Sequence, residues 1–169
     1  DLTPQIHYFD NLNYWLADFE TGDRFDTLDC TATLELVPSD STLIGQGTRN
    51  GRINLDSDHP LYTGVSSGDP FTVATGVNAF LEMDYRSDVE LLVGVRYEQA
   101  GIPYAAPITY AQPTKQGDGS MPWNKIYVDL ATPWAASGAT DKRFFIQAQL
   151  PDGASAGTVE VDNIKLVQL

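Results

Sequence analysis

The chain has one cysteine in 169 residues, Cys30, so an intrachain disulfide is excluded. Cys30 opens an apolar-alternating stretch after Leu28 and Asp29, which reads as a buried thiol and leaves the redox compartment undetermined. Histidine is nearly as scarce: His7 and His59 stand far apart, neither in a metal-ligand spacing. Cations are few, with 10 Lys and Arg against 23 Asp and Glu, a formal net charge of −13. Such a field repels phosphates and anionic lipid, which removes nucleic acid from the expected partners and suits neutral ligands or divalent cations. The same acidity serves solubility alone in many proteins. No apolar run approaches the ~20 residues that span a bilayer, so this segment is not expected to insert into a membrane. No P-loop, dinucleotide fingerprint or Gly-x-Ser-x-Gly elbow is present. No signal peptide is visible, and the chain opens on Asp1 rather than Met, as expected of a mature or trimmed form.

Apolar residues nevertheless make up 42% and aromatics 11%, which places the chain among globular proteins. Its length is that of one domain, expected over 1–169, and a monomer. Helical periodicity is confined to Leu12–Phe19, too short to define a helix. Period-2 alternation recurs instead. One face carries Ala32, Leu34 and Leu36; others carry Ile53 and Leu55, then Leu81, Met83 and Tyr85. The longest stripe is Val89, Leu91, Val93, Val95 and Tyr97. Ile126, Val128 and Leu130 alternate with Lys125, Tyr127 and Asp129, and Phe144, Ile146, Ala148 and Leu150 with Gln147 and Gln149. Each reads as a half-buried strand. Pro38-Ser39-Asp40, Asn50-Gly51, Ser67-Gly68-Asp69-Pro70, Asp118-Gly119 and Pro151-Asp152-Gly153 supply turn chemistry. Gly45-Gln46-Gly47 reads as a turn or bulge. The pattern predicts an all-β fold, an antiparallel β-sandwich of jelly-roll type with roughly eight to ten strands.

The last strand changes parity. Val159 and Val161 set one face, Ile164 and Leu166 the other, so a bulge is expected at Asp162-Asn163. Gln99 to Met121 is rich in Pro and Gly and reads as one long connection, the kind of segment that carries function.

Asp18-Phe19-Glu20-Thr21-Gly22-Asp23 near the start and Val159-Glu160-Val161-Asp162-Asn163-Ile164-Lys165-Leu166 at the end together resemble the first and last strands of jelly-roll carbohydrate-binding modules. The middle, Phe80-Leu81-Glu82-Met83-Asp84-Tyr85-Arg86-Ser87-Asp88 with Trp123-Asn124-Lys125-Ile126-Tyr127-Val128-Asp129-Leu130, is similar to a largely uncharacterised domain of bacterial surface lipoproteins. The resemblance implies chain ends lying side by side. It also implies a structural calcium held by Glu20 and Asp162, with Asp23 or nearby carbonyls added. Calcium takes about 6–8 oxygen ligands, which such a set begins to supply. The other reading makes Glu20 and Asp162 turn and bulge residues bonded to backbone amides.

A glycan-binding surface needs exposed flat rings beside polar groups. Tyr104, Tyr110, Trp134 and Trp15 lie outside the clear stripes and are the candidates, with Asn13, Gln112 and Asn124 near them in sequence; Trp123, Phe144 and Tyr97 read as core. Glu82 and Asp84 share a strand face about 7 Å apart, within reach of a glycosidase pair. They also resemble the Glu-x-Asp-x-x-Glu strand of jelly-roll glycanases, but Ser87 takes the place of the third carboxylate; a solvated strand face beside Arg86 accounts for the pair without chemistry. Cys30 has no evident catalytic partner. The expected function is therefore a non-catalytic, extracellular or cell-surface module for a polysaccharide or a surface protein. A lipid anchor on a removed N-terminal segment would suit that setting. A structural or adhesive domain, and a hydrolase or lyase using Glu82 and Asp84, are the alternatives.

Overall fold

The computed structural model describes residues 16–17, 19–20, 25–28, 31–39, 47–68, 70–71, 78–130 and 139–168. His7, Asn13, Trp15, Asp23, Cys30 and Trp134 lie outside them. Eleven strands occur among the described residues: β1 (Leu16–Ala17), β2 (Phe25–Thr27), β3 (Leu34–Pro38), β4 (Arg49–Asp56), β5 (Leu61–Ser66), β6 (Ala79–Ser87), β7 (Leu91–Gln99), β8 (Ile102–Ala111), β9 (Asn124–Asp129), β10 (Ala139–Gln149) and β11 (Ala156–Gln168). They form two sheets, one ordered β3-β4-β11-β6-β9 with β1 added on β11, the other β2-β5-β10-β7-β8. Every pairing is antiparallel. The fold is the all-β sandwich that alternation predicts.

One face of each sheet is apolar and the two meet in a shared core. Ile53 and Leu55, Leu81 and Met83, and Val159 and Val161 line the inner face of the first sheet; Leu91, Val93 and Val95, with Phe144, Ile146 and Ala148, line that of the second. Full burial of one such side chain contributes about 1.5–3 kcal/mol relative to exposure. Phe144 anchors one end, stacked on Phe71 at 5.1 Å and edge-on to Phe25 at 6.1 Å.

β11 is the spine of the first sheet. Its first half pairs with β4 through Ala156 to Val161, its second half with β1 at Ile164 and Lys165, while β6 follows its other edge. The register against β6 shifts between Asp162 and Lys165, and Asn163 takes a φ of 49°. The expected bulge is there, at the point where β11 exchanges β4 for β1. Asn tolerates the left-handed conformation that a β-branched residue resists. The pairing of β1 with β11 also brings the two end motifs side by side.

The long connection expected from Gln99 to Met121 is corrected in its first part: Ile102–Ala111 form β8, a ten-residue edge strand. Ala100 and Gly101, with φ of 52° and 76°, make the tight turn from β7, whose paired ends are Gln99 and Ile102. Pro103 and Pro107 stand opposite Glu98 and Gly94. They have no N–H to give, so both occupy ladder positions whose nitrogens face solvent. That placement also blunts the edge against pairing with another chain.

Candidate functional site

The side of the sandwich where β8 and β9 end their sheets concentrates the exposed large apolar side chains. Among the described residues these are Ile102, Tyr104, Tyr110 and Tyr127, the last two 57% and 61% exposed. Between the two edges runs a groove of about 450 Å³. Ile108, Ile126 and Val128 give it an apolar floor that continues into the core. Tyr85 closes the floor, its hydroxyl donating to the Gln112 carbonyl at 3.0 Å and tying the chain after β8 to the first sheet. Thr109, Gln112 and Asp129 bring polar atoms to the walls. The Gln112 amide is oriented by the Glu90 carboxylate at 2.9 Å.

Tyr110 and Tyr127 flank this groove from opposite sheets. Tyr110 pairs with Leu92 and so projects from the outer face of the second sheet; Tyr127 pairs with Glu82 and projects from the outer face of the first. Tyr104 behaves differently. The register shifts between its stretch of β8 and that of Tyr110, which puts it opposite Tyr97 on the inner face. There the two rings stack at 5.6 Å, with Tyr104 43% exposed. Tyr104 and Tyr110 are thus both exposed, on a strand rather than a shared loop, and on opposite faces of it. Tyr127 is the residue the sequence reading passed over. It stands at an outward position of the Lys125-Ile126-Tyr127-Val128 alternation, and an aromatic at an outward position is the signal that marks it.

The outer face of the first sheet is built quite otherwise. Glu82 and Asp84, expected on a solvated face, are only 8% and 4% exposed. Pairing of β9 and β11 with β6 brings the missing cations: Lys125 Nζ reaches Glu82 Oε1 at 2.7 Å and Asp84 Oδ1 at 3.1 Å, and Lys165 Nζ reaches Glu82 Oε1 at 2.9 Å. Asn163 Nδ2 donates to Asp84 Oδ2 at 3.1 Å. Burial pushes the Glu82 carboxyl up, but the two ammonium groups outweigh it and hold the acid below its ordinary value. A general acid needs the opposite, a raised pKa. Next along the face, Glu160 accepts from Arg52 at 2.9 Å, Arg86 at 2.8 Å and Asn50 at 2.8 Å. The Arg86 guanidinium lies 4.9 Å from the centre of the Trp123 ring, so Trp123, expected in the core, instead covers this charged face.

At the chain ends, Glu20 accepts from the Thr48 amide at 2.6 Å, the Thr48 hydroxyl at 2.9 Å and the Arg49 amide at 2.7 Å. The Thr48 amide first, then the Arg49 amide and the Thr48 hydroxyl, hold the carboxyl below its ordinary value. Gly47, at φ 76°, makes room for it: a Cβ there would collide with the Glu20 carboxylate. Asp162 is fully buried and takes the Asn163 amide at 2.7 Å. Among the described residues no three His, Cys, Asp or Glu side chains gather as a metal centre. A calcium here would have to share Glu20 oxygens that already serve amides. His59, the other histidine of the sequence, is exposed and bonds Asp56 at 3.0 Å.

No family model and no curated protein matches the chain. Solved structures do match in fold. A β-sandwich carbohydrate-binding module of promiscuous specificity superposes with a TM-score of 0.57 at 18% identity, over 88% of this chain, which spans 60% of that one. A family 11 carbohydrate-binding module from Clostridium thermocellum, in complex with a β-1,3-1,4-mixed-linked tetrasaccharide, gives 0.54 at 14% identity, over 93% and 96% of the two chains. A single-site variant of a family 29 module gives 0.54 at 12%, over 92% and 90%. The chain is similar to these in architecture.

Proposed function

We propose that this chain is a non-catalytic glycan-binding module of an extracellular or cell-surface protein, and that the Tyr110–Tyr127 groove receives the sugar. The observation that carries the reading is the gathering of exposed rings on one side of an otherwise well-buried sandwich. Tyrosine presents a flat apolar face to sugar C–H groups and a hydroxyl to their oxygens. The groove's apolar floor and its Thr109, Gln112 and Asp129 walls provide for both kinds of contact. Its rims sit on strands, so little ordering opposes binding. The architecture agrees with that of a family 11 module in complex with a mixed-linked tetrasaccharide. A purely structural domain would bury these rings. A hydrolase would need Glu82 or Asp84 to be open to substrate, and both are buried and held in ion pairs by Lys125 and Lys165.

The test is affinity electrophoresis through gels containing mixed-linked glucan, xylan or mannan. Retardation by at least one is expected. Tyr110→Ala combined with Tyr127→Ala should weaken it by about tenfold or more, the scale of a lost 1.4 kcal/mol. Unretarded migration of the unmodified chain in all three gels withdraws the proposal.

A further inference from the structure

Apart from the two-residue β1, the strands that end the sheets are β3 and β9 in the first and β2 and β8 in the second. Three of them are poor templates for further pairing. β2 has three residues, β3 closes on Pro38, and β8 carries Pro103 and Pro107. β9 has six residues and no proline. An edge strand offers the N–H and C=O groups of alternate residues. On β9 the pairing with β6 fixes which ones. The Leu130 amide donates to the Ala79 carbonyl at 2.9 Å, in line with the register that sets Asp129 opposite Phe80 and Asn124 opposite Tyr85. Bonds to β6 therefore fall at Val128, Ile126 and Asn124, and the backbone of Lys125, Tyr127 and Asp129 points off the sheet. That of Lys125 and Tyr127 meets no partner among the described residues.

The same stretch is complementary to itself. From Lys125 to Asp129 it runs cation, apolar, ring, apolar, anion. If a second copy pairs antiparallel along this edge, outward residues must meet outward residues. Setting Lys125 on Lys125, or Asp129 on Asp129, brings like charges directly opposite, which is destabilising. Setting Tyr127 on Lys125 or on Asp129 leaves one outward residue unmatched. The register centred on Tyr127 alone uses all three positions: Lys125 faces Asp129 twice and Tyr127 faces Tyr127. It is symmetric about a two-fold axis, so it closes as a dimer rather than growing into a filament. Lys125 does not obstruct the approach. Its Nζ lies 2.7 Å from Glu82 and 3.1 Å from Asp84, which holds the side chain over its own sheet.

We infer that β9 is a homodimer edge, pairing about Tyr127 with β9 of a second copy and joining two first sheets into one. A ladder this short is a small interface, so the dimer is weak and reversible. Edge and groove share Tyr127, but association is measured without glycan, so failure of either reading leaves the other standing.

The test follows the unmodified whole chain by sedimentation from micromolar to millimolar concentration, with amide hydrogen exchange read residue by residue. A monomer–dimer equilibrium is expected. Exchange at Lys125 and Tyr127 should slow by about tenfold where most of the chain is dimeric, while Ile126, already bonded to β6, stays as it was. Tyr127→Pro removes only an outward donor and should weaken association by about tenfold or more. Asp129→Lys sets lysine against lysine and should do the same. Mixing that variant with Lys125→Glu should restore a heterodimer, since each cation then meets an anion. A monomer at every concentration would overturn the inference. So would a dimer in which Lys125 and Tyr127 exchange as fast as in the monomer, a reading that needs no variant to fold. Equal association by Asp129→Lys would overturn the register.

Discussion

The charged outer face of the first sheet and the ring-bearing side at β8 and β9 use their side chains in opposite ways. On the first, nearly every charge is answered within the molecule: Glu160 by two arginines and an asparagine, Glu82 by two lysines. On the second, the largest side chains are left to solvent, and the prolines of β8 withhold donors at the edge. A buried charge stabilises only while its partner stands, so the first surface is costly to disturb. An exposed ring contributes little to folding, so the second is free to serve contact. The difference separates stability from binding on one small sandwich, and it can be tested from either side.

The largest effect is expected at Glu160. Glu160→Ala leaves Arg52, Arg86 and Asn50 facing an empty site and should cost on the order of 3 kcal/mol, read as a drop of roughly 6–12 °C in Tm. A loss under about 0.5 kcal/mol, the range of ordinary surface changes, would erase the contrast. Next comes the converse experiment already described: the Tyr110 and Tyr127 double replacement should weaken glycan retention while Tm stays put. A large fall in Tm would mean that the rings are structural.

A third experiment uses acid. Glu82 titrates below its ordinary value in the folded state, so its contribution is present above the unfolded pKa and is lost as pH falls through the folded one. Tm should therefore hold near neutrality and decline below about pH 4.5. Glu82→Gln should flatten that decline. An unchanged acid limb in the variant would remove Glu82 from the account. The smallest effect is expected from a chelator: with Glu20 serving Thr48 and Arg49, Tm should not move. A fall on chelation, reversed by calcium, would instead establish an ion at the chain ends.

Much of the first surface could not be read in one dimension. Glu82 and Asp84 look solvated from their alternation, because Lys125 and Lys165 reach them only through the pairing of β9 and β11 with β6. The bulge at Asp162-Asn163 was legible because a parity switch in a single strand is a local signal. β8 was not, because Pro103 and Pro107 remove the very donors that define a strand interior, and an edge strand exposed along most of its length shows no alternation. β1 and β2, at two and three residues, are too short to carry a period. Tyr110 was found by its distance from the stripes, Tyr127 missed because it lay within one.

The exchange of partners along β11 has a consequence for how the chain is made. Its neighbours come from near the beginning, the first third and the middle of the sequence, and all of them wait for its thirteen residues. Until that segment leaves the ribosome, β4 and β6 have no strand between them and expose apolar faces to the cell. Assembly of the first sheet is therefore a late, all-at-once event governed by contacts distant in sequence, and a nascent chain halted a few residues early is the form most in need of a chaperone.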